Sequence, residues 1–458
     1  MSDPSVLVID GAAVVTMDAT RTEHTSAYVV VRDDRVESVT EGRAPEDVRR
    51  GAGRVVHATG CLLTPGLVNT HQHLYQWSTR GQAVDSTLFE WLTTLYPVWA
   101  GIDEEVVRAS AAAALGWLAR TGTTTSTDHH YVFPSGGGDL IAAEIAAAAA
   151  VGLRFHPTRG SMDLGRSQGG LPPDSVVEDL DAILTATQDV IDRFHDPRPG
   201  AMVRVAVAPC SPFSVTAELM TAAAGLARAA GVRLHTHLAE TTDEEVFCKE
   251  RFGATPTEYV ESLGWLGEDV WMAHAVHLDD AAIARFAATG TGVAHCPSSN
   301  ARLGAGIART RDLRDAGVAV GLGVDGAASN EAGSLVEEAR HAVLFARARG
   351  GPDALTVRDA LEMATLGGAR VLGRHDEIGT VEPGKLADLA LWRLDGLGHA
   401  GIDDPVAALV LGSAPPLELL LVGGRTVVEQ DRLVTVDEET LARDAETAAR
   451  TLLARAAA

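Results

Sequence analysis

The chain has 458 residues, and 62 acidic against 38 basic side chains give it a formal net charge of -24 at pH 7. A surface of that sign disfavours binding to nucleic acid or to an anionic membrane. Four scattered cysteines without a CxxC pair predict reduced thiols, and the lack of a leader-like start or a membrane-length apolar run predicts a soluble, cytoplasmic protein.

Both ends of the chain are rich in strand-forming patterns. The predicted strands lie near 6–9, 27–31 and 35–39 at the start, and near 378–384, 388–392 and 419–422 towards the end. We therefore predict one small β-sandwich domain built from both chain termini, with parts at 1–62 and 374–436. The tail, 437–458, has the pattern of an amphipathic helix that packs on the rest of the protein or on a neighbouring subunit.

The middle of the chain, 63–373, alternates between strand and helix patterns. Eight apolar runs typical of strands lie near 61–70, 123–128, 153–158, 203–209, 232–238, 269–276, 290–295 and 318–324. Predicted helices between them include 104–120, 139–150, 176–194, 217–230 and 335–348. Eight alternations, with no GxGxxG turn after the first strand, favour an α/β fold of the (β/α)8 TIM-like barrel type over an open doubly wound sheet.

Most of the predicted barrel strands end in a side chain that can bind a metal or carry a proton. These side chains are His71 and His73, Asp128, His129 and His130, Arg159, His235, His237 and Glu240, His274, His295, and Asp325. Because barrel chemistry is located at the carboxyl ends of the strands, we expect these groups to converge. If each histidine were an isolated core residue, this coincidence would have to arise many times over.

A subset of these residues has the composition of a metal site. His71, His73 and His237, together with the carboxylate of Asp325, can hold one divalent ion and leave a position for water. A water bound in this way has a pKa of about 7 and is a nucleophile at neutral pH. Glu240 can accept the water proton and return it to a ring nitrogen of the substrate, and its alternative role is to open the next helix.

Two further groups complete the predicted machinery. His274 can steady the nucleophile or the developing charge, and Asp325 can carry a proton to the leaving group. The chain has only two lysines, Lys249 and Lys385, and neither is near the end of the fourth barrel strand, where a carbamylated lysine often bridges two metals. We therefore expect one ion per chain. Zn²⁺ is our first choice, and Fe²⁺, Co²⁺ and Mn²⁺ also suit these donors.

Five motifs together resemble the amidohydrolase superfamily, in its mononuclear deaminase and chlorohydrolase branch. The motifs are PGLVNTHQH at 65–73, HTHLAE at 235–240, the pair at 273–274, HCPSSN at 295–300 and GVDG at 323–326, with a further match at 379–388. The resemblance implies a barrel with a sandwich of both termini and hydrolytic removal of an amino group or halide from a nitrogen heterocycle. It also implies metal ligation by His71, His73, His237 and Asp325, and catalysis by Glu240 and His274.

Less specific sequence similarities indicate which substrate the protein acts on. The loop through 74–80 and 88–99, and the strand end at 128–131, are similar to those of 8-oxoguanine deaminases, which implies conversion of 8-oxoguanine and water to urate and ammonia. Gln76, Arg80 and His129 could contact the edge of the ring and Trp91 or Trp77 its face, although lid packing or a surface ion pair is an equal alternative for each. Because Asp325 is present, we favour deamination over dechlorination.

Other interpretations of the sequence remain open. One is a hydroxytriazine or chlorotriazine hydrolase, or a guanine, isoguanine or pterin deaminase of the same branch. Another is a non-catalytic barrel that senses a metabolite, which would have no need of Glu240 beside a metal. The expected partners are a small nitrogen heterocycle, with no nucleic acid and no membrane. The apolar and alanine-rich helices, with the family resemblance, also favour a homo-oligomer.

Overall fold

The computed structural model describes residues 3–457 and contains a closed eight-stranded barrel and a separate nine-stranded sheet. The strands are β1 (Asp3–Val15), β2 (Glu23–Arg32), β3 (Arg35–Glu41), β4 (Ala52–His57), β5 (Cys61–Pro65), β6 (Leu67–Asn69), β7 (Thr123–His130), β8 (Arg154–Ser161), β9 (Ala206–Pro209), β10 (Arg233–Leu238), β11 (Val270–His274), β12 (Gly292–His295), β13 (Val320–Leu322), β14 (Leu389–Arg393), β15 (Leu417–Val422), β16 (Arg425–Glu429) and β17 (Arg432–Leu433). The barrel consists of β6 to β13 in order, all parallel, and β13 pairs with β6 to close it. The predicted (β/α)8 barrel is confirmed.

Helices cover the outside of the barrel and extend one of its loops. They are α1 (Glu46–Gly51), α2 (Leu88–Trp99), α3 (Glu104–Arg120), α4 (Leu140–Val151), α5 (Leu180–Phe194), α6 (Ala217–Ala230), α7 (Thr242–Phe252), α8 (Pro256–Ser262), α9 (Asp280–Thr289), α10 (Pro297–Arg302), α11 (Thr310–Asp315), α12 (Leu335–Gly350), α13 (Val357–Glu362), α14 (Gly368–Val371), α15 (Pro405–Leu411) and α16 (Glu438–Ala456). The predicted helices at 104–120 and 217–230 coincide with α3 and α6. Within residues 3–457, no helix combines the length and apolarity needed to cross a bilayer.

The nine-stranded sheet is built from both termini, as predicted. Its order is β17-β16-β15-β14-β5-β1-β2-β3, with β4 paired to β1. The sheet is mixed, because β1 pairs parallel with β4 and β5 but antiparallel with β2. A buried ion pair links it to the barrel, where Arg154 of β8 donates to both carboxylate oxygens of Asp388 at 2.6 and 3.1 Å.

The apolar run at 61–70, which we predicted as one barrel strand, is divided between the two sheets. Its first half is β5 in the terminal sheet, where Leu63 pairs with Leu391, and its second half is β6 in the barrel. Pro65 ends the first half, and the next residue, Gly66, sits where an added Cβ would lie 2.2 Å from the Thr124 side chain. This close approach to β7 turns the chain from one sheet into the other within a single residue.

A second difference concerns the stretch 88–99, which we treated as a loop and which forms α2. Thr87 and Glu90 form a capping box, which is a sequence signal for the start of a helix. The helix lies in the long connection between β6 and β7, yet it has buried side chains, among them Leu88, Trp91 and Tyr96. The helix therefore has a packing partner inside the barrel mouth.

Alternation along β10 explains how histidines reach the barrel interior. His235 and His237 point inwards, whereas Leu234 and Leu238 belong to the apolar layer between the strands and the helices. Outside, α16 packs on α3, where Gly116 leaves room for Leu441. The apolar layer thus fixes the register that points both imidazoles into the barrel interior.

Candidate metal centre and catalytic site

Four side chains converge at the carboxyl end of the barrel. His71 and His73 follow β6, His237 lies in β10, and Asp325 follows β13. The Nε2 atoms of His73 and His237 are 3.1 Å apart, and Asp325 Oδ1 lies 3.3 Å from His71 Nε2 and 3.2 Å from His73 Nε2. All four side chains are buried. The structure therefore brings the four predicted ligands together.

Two of the imidazoles are held from behind by backbone carbonyls. His73 Nδ1 donates to the His129 carbonyl oxygen at 2.7 Å, and His237 Nδ1 donates to the Cys210 carbonyl oxygen at 2.7 Å. Because a neutral imidazole carries one proton, each of these rings presents an Nε2 lone pair to the centre. This is the arrangement in which protein imidazoles bind metals.

His71 is held by another histidine. His235 Nδ1 lies 2.9 Å from the Trp271 carbonyl oxygen and must donate to it, so His235 Nε2 is an acceptor. His71 Nδ1 donates to that acceptor at 2.8 Å. His71 Nε2 is buried and has no hydrogen-bond partner among the described residues. The hydrogen bonds that link Trp271, His235 and His71 therefore leave the Nε2 lone pair of His71 directed at the point where the four side chains converge.

Asp325 is fixed through its second oxygen. Oδ2 accepts from the hydroxyls of Ser299 at 2.5 Å and Ser329 at 3.2 Å, and Oδ1 accepts from the Gly326 amide at 2.7 Å. The residue has φ of 60°, a left-handed conformation that side chains with a Cβ rarely adopt.

These donors fit a divalent metal ion. Burial lowers the pKa of His71 to about 3 and that of His237 well below the ordinary value, so both rings are neutral, which is the form that ligates. Three neutral imidazole nitrogens and one carboxylate match the preferences of Zn²⁺. The unpartnered His71 Nε2 is the observation that most directly requires an occupant of this kind.

Glu240 and His274 lie beside the four donors. Glu240 Oε2 is 3.6 Å from His274 Nε2, and His274 Nδ1 is 2.9 Å from Asn300 Oδ1. With the Asn300 oxygen as acceptor, His274 carries its proton on Nδ1 and offers an Nε2 lone pair to the site. Burial, Asp325 and Glu244 raise the pKa of Glu240 well above its usual value. A carboxyl group with a raised pKa suits proton transfer near neutral pH.

A partly enclosed cavity opens onto this cluster. Its lining consists of His73, Gln76, Leu88, Trp91, Leu92, Tyr96, Tyr131, Cys210, Ser211, Phe213, His237, Glu240, His274, Leu303 and Asp325. The polar part of the lining comes from the carboxyl ends of the barrel strands, and much of the apolar part comes from α2. Such a mixed lining is typical of pockets that bind small, partly polar molecules.

Two of the predicted substrate contacts line this cavity. Gln76 is fully buried, and neither its amide oxygen nor its amide nitrogen has a hydrogen-bond partner among the described residues. Trp91 is also buried, and its indole nitrogen donates to the Ala328 carbonyl at 3.2 Å, which fixes the plane of the ring. Gln76 therefore offers a free donor and a free acceptor, and Trp91 offers an oriented face.

The other two predicted contacts do not line the cavity. The guanidinium of Arg80 lies 4.1 Å over the Trp77 ring and donates to the Glu331 carbonyl, on the outer surface. His129 donates from Nε2 to the Ala208 carbonyl at 2.9 Å and stacks on His237 with ring centroids 4.7 Å apart. Arg80 thus packs on Trp77, and His129 supports the candidate ligand His237 rather than reaching the cavity.

The remaining strand-end groups serve other contacts. His130 lies outside the barrel wall, with Nδ1 2.7 Å from Glu144 Oε1, and Arg159 forms an ion pair with Glu178 at 2.8 Å. Lys249 pairs with Glu245 on the surface, and Lys385 donates to the His375 carbonyl. Both lysines are therefore away from the barrel mouth, where the residue following β9 is Cys210.

Several residues of the site were not predicted. His235 and Asn300 were within quoted motifs but received no role, although the HxH spacing in β10 could have indicated that His235 shares a face with His237. Tyr96 and Phe213 line the cavity. The i, i+3, i+4, i+8 spacing of Leu88, Trp91, Leu92 and Tyr96 was the available signal for a buried helical face.

The sequence was compared with protein families and with characterised proteins. The model of the amidohydrolase family matches residues 62–427. An 8-oxoguanine deaminase from Pseudomonas aeruginosa is 45% identical over 399 residues, which cover 86% of this chain and 88% of that protein. An isoxanthopterin deaminase from an unknown prokaryotic organism is 37% identical over 474 residues, which cover 99% of this chain and 98% of that protein.

The fold was also compared with solved structures. The atrazine chlorohydrolase TrzN from Arthrobacter aurescens TC1, complexed with zinc, superposes with a TM-score of 0.91 and is 35% identical in sequence. The match covers 97% of this chain and 100% of that chain. The likeness therefore extends over both the barrel and the terminal sheet.

Proposed function

We propose a reaction for this chain, which belongs to the amidohydrolase family and is a hydrolase acting on C–N bonds. The proposed reaction is 8-oxoguanine + water → urate + ammonia. The observation that carries the deaminase chemistry is the buried Glu240 carboxyl beside His274, in a cavity that three of the four convergent donors also line. The 45% identity to an 8-oxoguanine deaminase supports the choice of an oxidised purine.

A divalent ion held by His71, His73, His237 and Asp325 would supply the Lewis acidity that makes water nucleophilic near neutral pH. The residues around it move the protons. Glu240 takes the proton of the attacking water and delivers it to the ring nitrogen next to the amino-bearing carbon. His274 Nε2 accepts a hydrogen bond from the water and orients it, and Asp325 passes the second proton to the departing ammonia.

Recognition of the ring is assigned to the same cavity. Gln76 can donate to a ring carbonyl and accept from a ring N–H, because its amide has no partner within the protein. Trp91 and Tyr96 of α2 cover the ring face and exclude water from the reacting carbon. A ligand without complementary edge groups would leave the Gln76 amide buried and unpaired.

The test is ammonia release by the protein purified with its native metal, measured in parallel on 8-oxoguanine, guanine and isoxanthopterin. We expect fast ammonia release from 8-oxoguanine by the wild-type protein. Glu240→Gln is the matched control and is expected to be inactive. Rapid release from isoxanthopterin or guanine with none from 8-oxoguanine would refute the substrate while leaving the chemistry intact. Metal analysis of the same preparation tests for one ion per chain and identifies it, with Zn²⁺ expected.

A triazine hydrolase is the second candidate, favoured by the TM-score of 0.91 to an atrazine chlorohydrolase and by the apolar wall of Leu88, Leu92 and Leu303. Chloride and amine release from a chlorotriazine and an aminotriazine, measured beside ammonia release from 8-oxoguanine, separates the two. A cytoplasmic location and a homo-oligomer also stay proposals, to be tested by cell fractionation and light scattering.

A further inference from the structure

Glu244 is a fully buried carboxylate that binds the backbone just before its own helix. It is the third residue of α7, and its Oε1 accepts from the Ala239 amide at 2.9 Å while Oε2 accepts from the Glu240 amide at 3.1 Å. Both carboxylate oxygens are therefore used on two successive peptide units. The second of those units belongs to the proposed general acid–base.

The peptide units that Glu244 binds form an unusual turn. Ala239 has φ of 52°, in the left-handed region that a residue with a Cβ rarely adopts. Its carbonyl accepts from the amides of Val276 and His277 at 3.0 and 2.9 Å, in the segment that follows His274. The turn thus connects the loop that carries Glu240 to the segment that follows His274, and an anchor is needed to hold it in this conformation.

An ordinary helix cap does not account for these contacts. In a capping box, the third helical residue accepts from the amide of the N-cap, which here is Thr241. Glu244 instead binds the two residues before Thr241. Within residues 3–457 no cation forms an ion pair with Glu244, and burial raises its pKa to about 7 although the two amides lower it. A buried carboxyl group in this setting is costly unless both of its oxygens are needed as acceptors.

We propose that Glu244 is a positioning residue that holds the Glu240 carboxyl at the reacting atoms by clamping the Ala239 and Glu240 amides. The inference rests on the proposed function, in which Glu240 transfers the proton. Glutamine has the same size but only one acceptor oxygen, so Glu244→Gln breaks one of the two clamp bonds and aims an N–H at the other amide. Glu240 is then free to shift while the four metal donors keep their own contacts.

The matched control is Glu245→Gln. Glu245 is the next residue of the same helix, lies at the surface and pairs with Lys249 at 2.6 Å, outside the catalytic machinery. We expect Glu244→Gln to lower kcat on the order of 10²-fold, the effect of misplacing a catalytic group by about 1 Å, with KM and metal content close to wild type. Glu245→Gln should behave as wild type in all three measurements.

An unchanged kcat for Glu244→Gln with a lower melting temperature would overturn the inference, because that is the signature of a structural cap. If Glu244→Gln does not fold, Glu244→Asp keeps the charge but is one methylene too short and should show the same fall in kcat. If the wild-type protein turns over no heterocycle, the proposed function fails and a crystal structure of the variant decides. A Glu240 carboxyl in its wild-type position would then refute the clamp, and a displaced one would support it.

Discussion

Replacing His235 by phenylalanine removes the hydrogen-bond acceptor behind the proposed metal ligand His71 but keeps an aromatic ring in its place. The His235 ring stacks on Trp271 with centroids 4.4 Å apart and planes 13° apart, and a phenyl ring can keep that contact. The variant leaves His71 Nδ1–H buried without its 2.8 Å acceptor, which costs about 1–3 kcal/mol. Once His71 swings to find another partner, metal binding should weaken roughly 10- to 100-fold, in line with the loss of other outer contacts to metal-bound histidines.

The assay is competition for Zn²⁺ against a chelator of known affinity, with wild type, His235→Phe and His235→Gln measured together. The glutamine carbonyl can accept from His71, so His235→Gln should bind Zn²⁺ more tightly than His235→Phe. His295→Phe is the control, because His295 is equally buried but makes no hydrogen bond to His71. Wild-type affinity in His235→Phe would refute the reasoning, as would equal weakening in His295→Phe.

Three further predictions follow, two on the site and one on a buried pair outside it. Glu240→Gln should keep its metal but lose ammonia release about 10²- to 10⁴-fold, and full turnover would remove Glu240 from the mechanism. In Gly326→Ala the new Cβ would lie 1.7 Å from Gln76 Oε1, so KM should rise about 3- to 10-fold with metal content unchanged; a wild-type KM would show that Gln76 does not bind substrate. Burial raises the pKa of Glu144 to about 8, so its contribution to stability is full below the unfolded pKa of about 4.3 and is lost as pH rises through about 8. In Glu144→Gln, the glutamine amide can still donate to His130 Nδ1 but does not titrate. The melting temperature of this variant should therefore fall less than that of the wild type between pH 6 and pH 9. Parallel curves of melting temperature against pH for the two proteins would contradict the assignment.

The barrel could be predicted from the sequence because eight apolar runs alternate with helical patterns, and because strand ends in such a barrel meet at one face. The same rule selected His71, His73, His237 and Asp325, which the structure places within 3.1 to 3.3 Å of one another in pairs. This prediction needed no knowledge of loop conformation, since each side chain is on a strand or within four residues of its end.

Features that depend on three-dimensional contacts between loops were not predictable in the same way. Arg80 follows the metal-binding segment closely in sequence, yet the short 3-10 helix Leu74–Thr79 turns it onto Trp77 at the surface. The division of 61–70 depends on the close approach of Gly66 to Thr124 in a different strand. The partner of His71 is a histidine 164 residues away, and no local pattern gives that pairing.

The order in which the terminal sheet is completed follows from its strand order. One edge of β5 pairs with β14, where Leu63 is opposite Leu391. At synthesis rates of about 5–20 residues per second, Leu391 is synthesised roughly 15 to 65 s after Leu63. During that interval an apolar strand edge is open to other chains, next to the segment that carries His71 and His73. Truncation of the chain before β14 would therefore leave this strand edge unpaired, and we expect such a fragment to aggregate more readily than the whole protein.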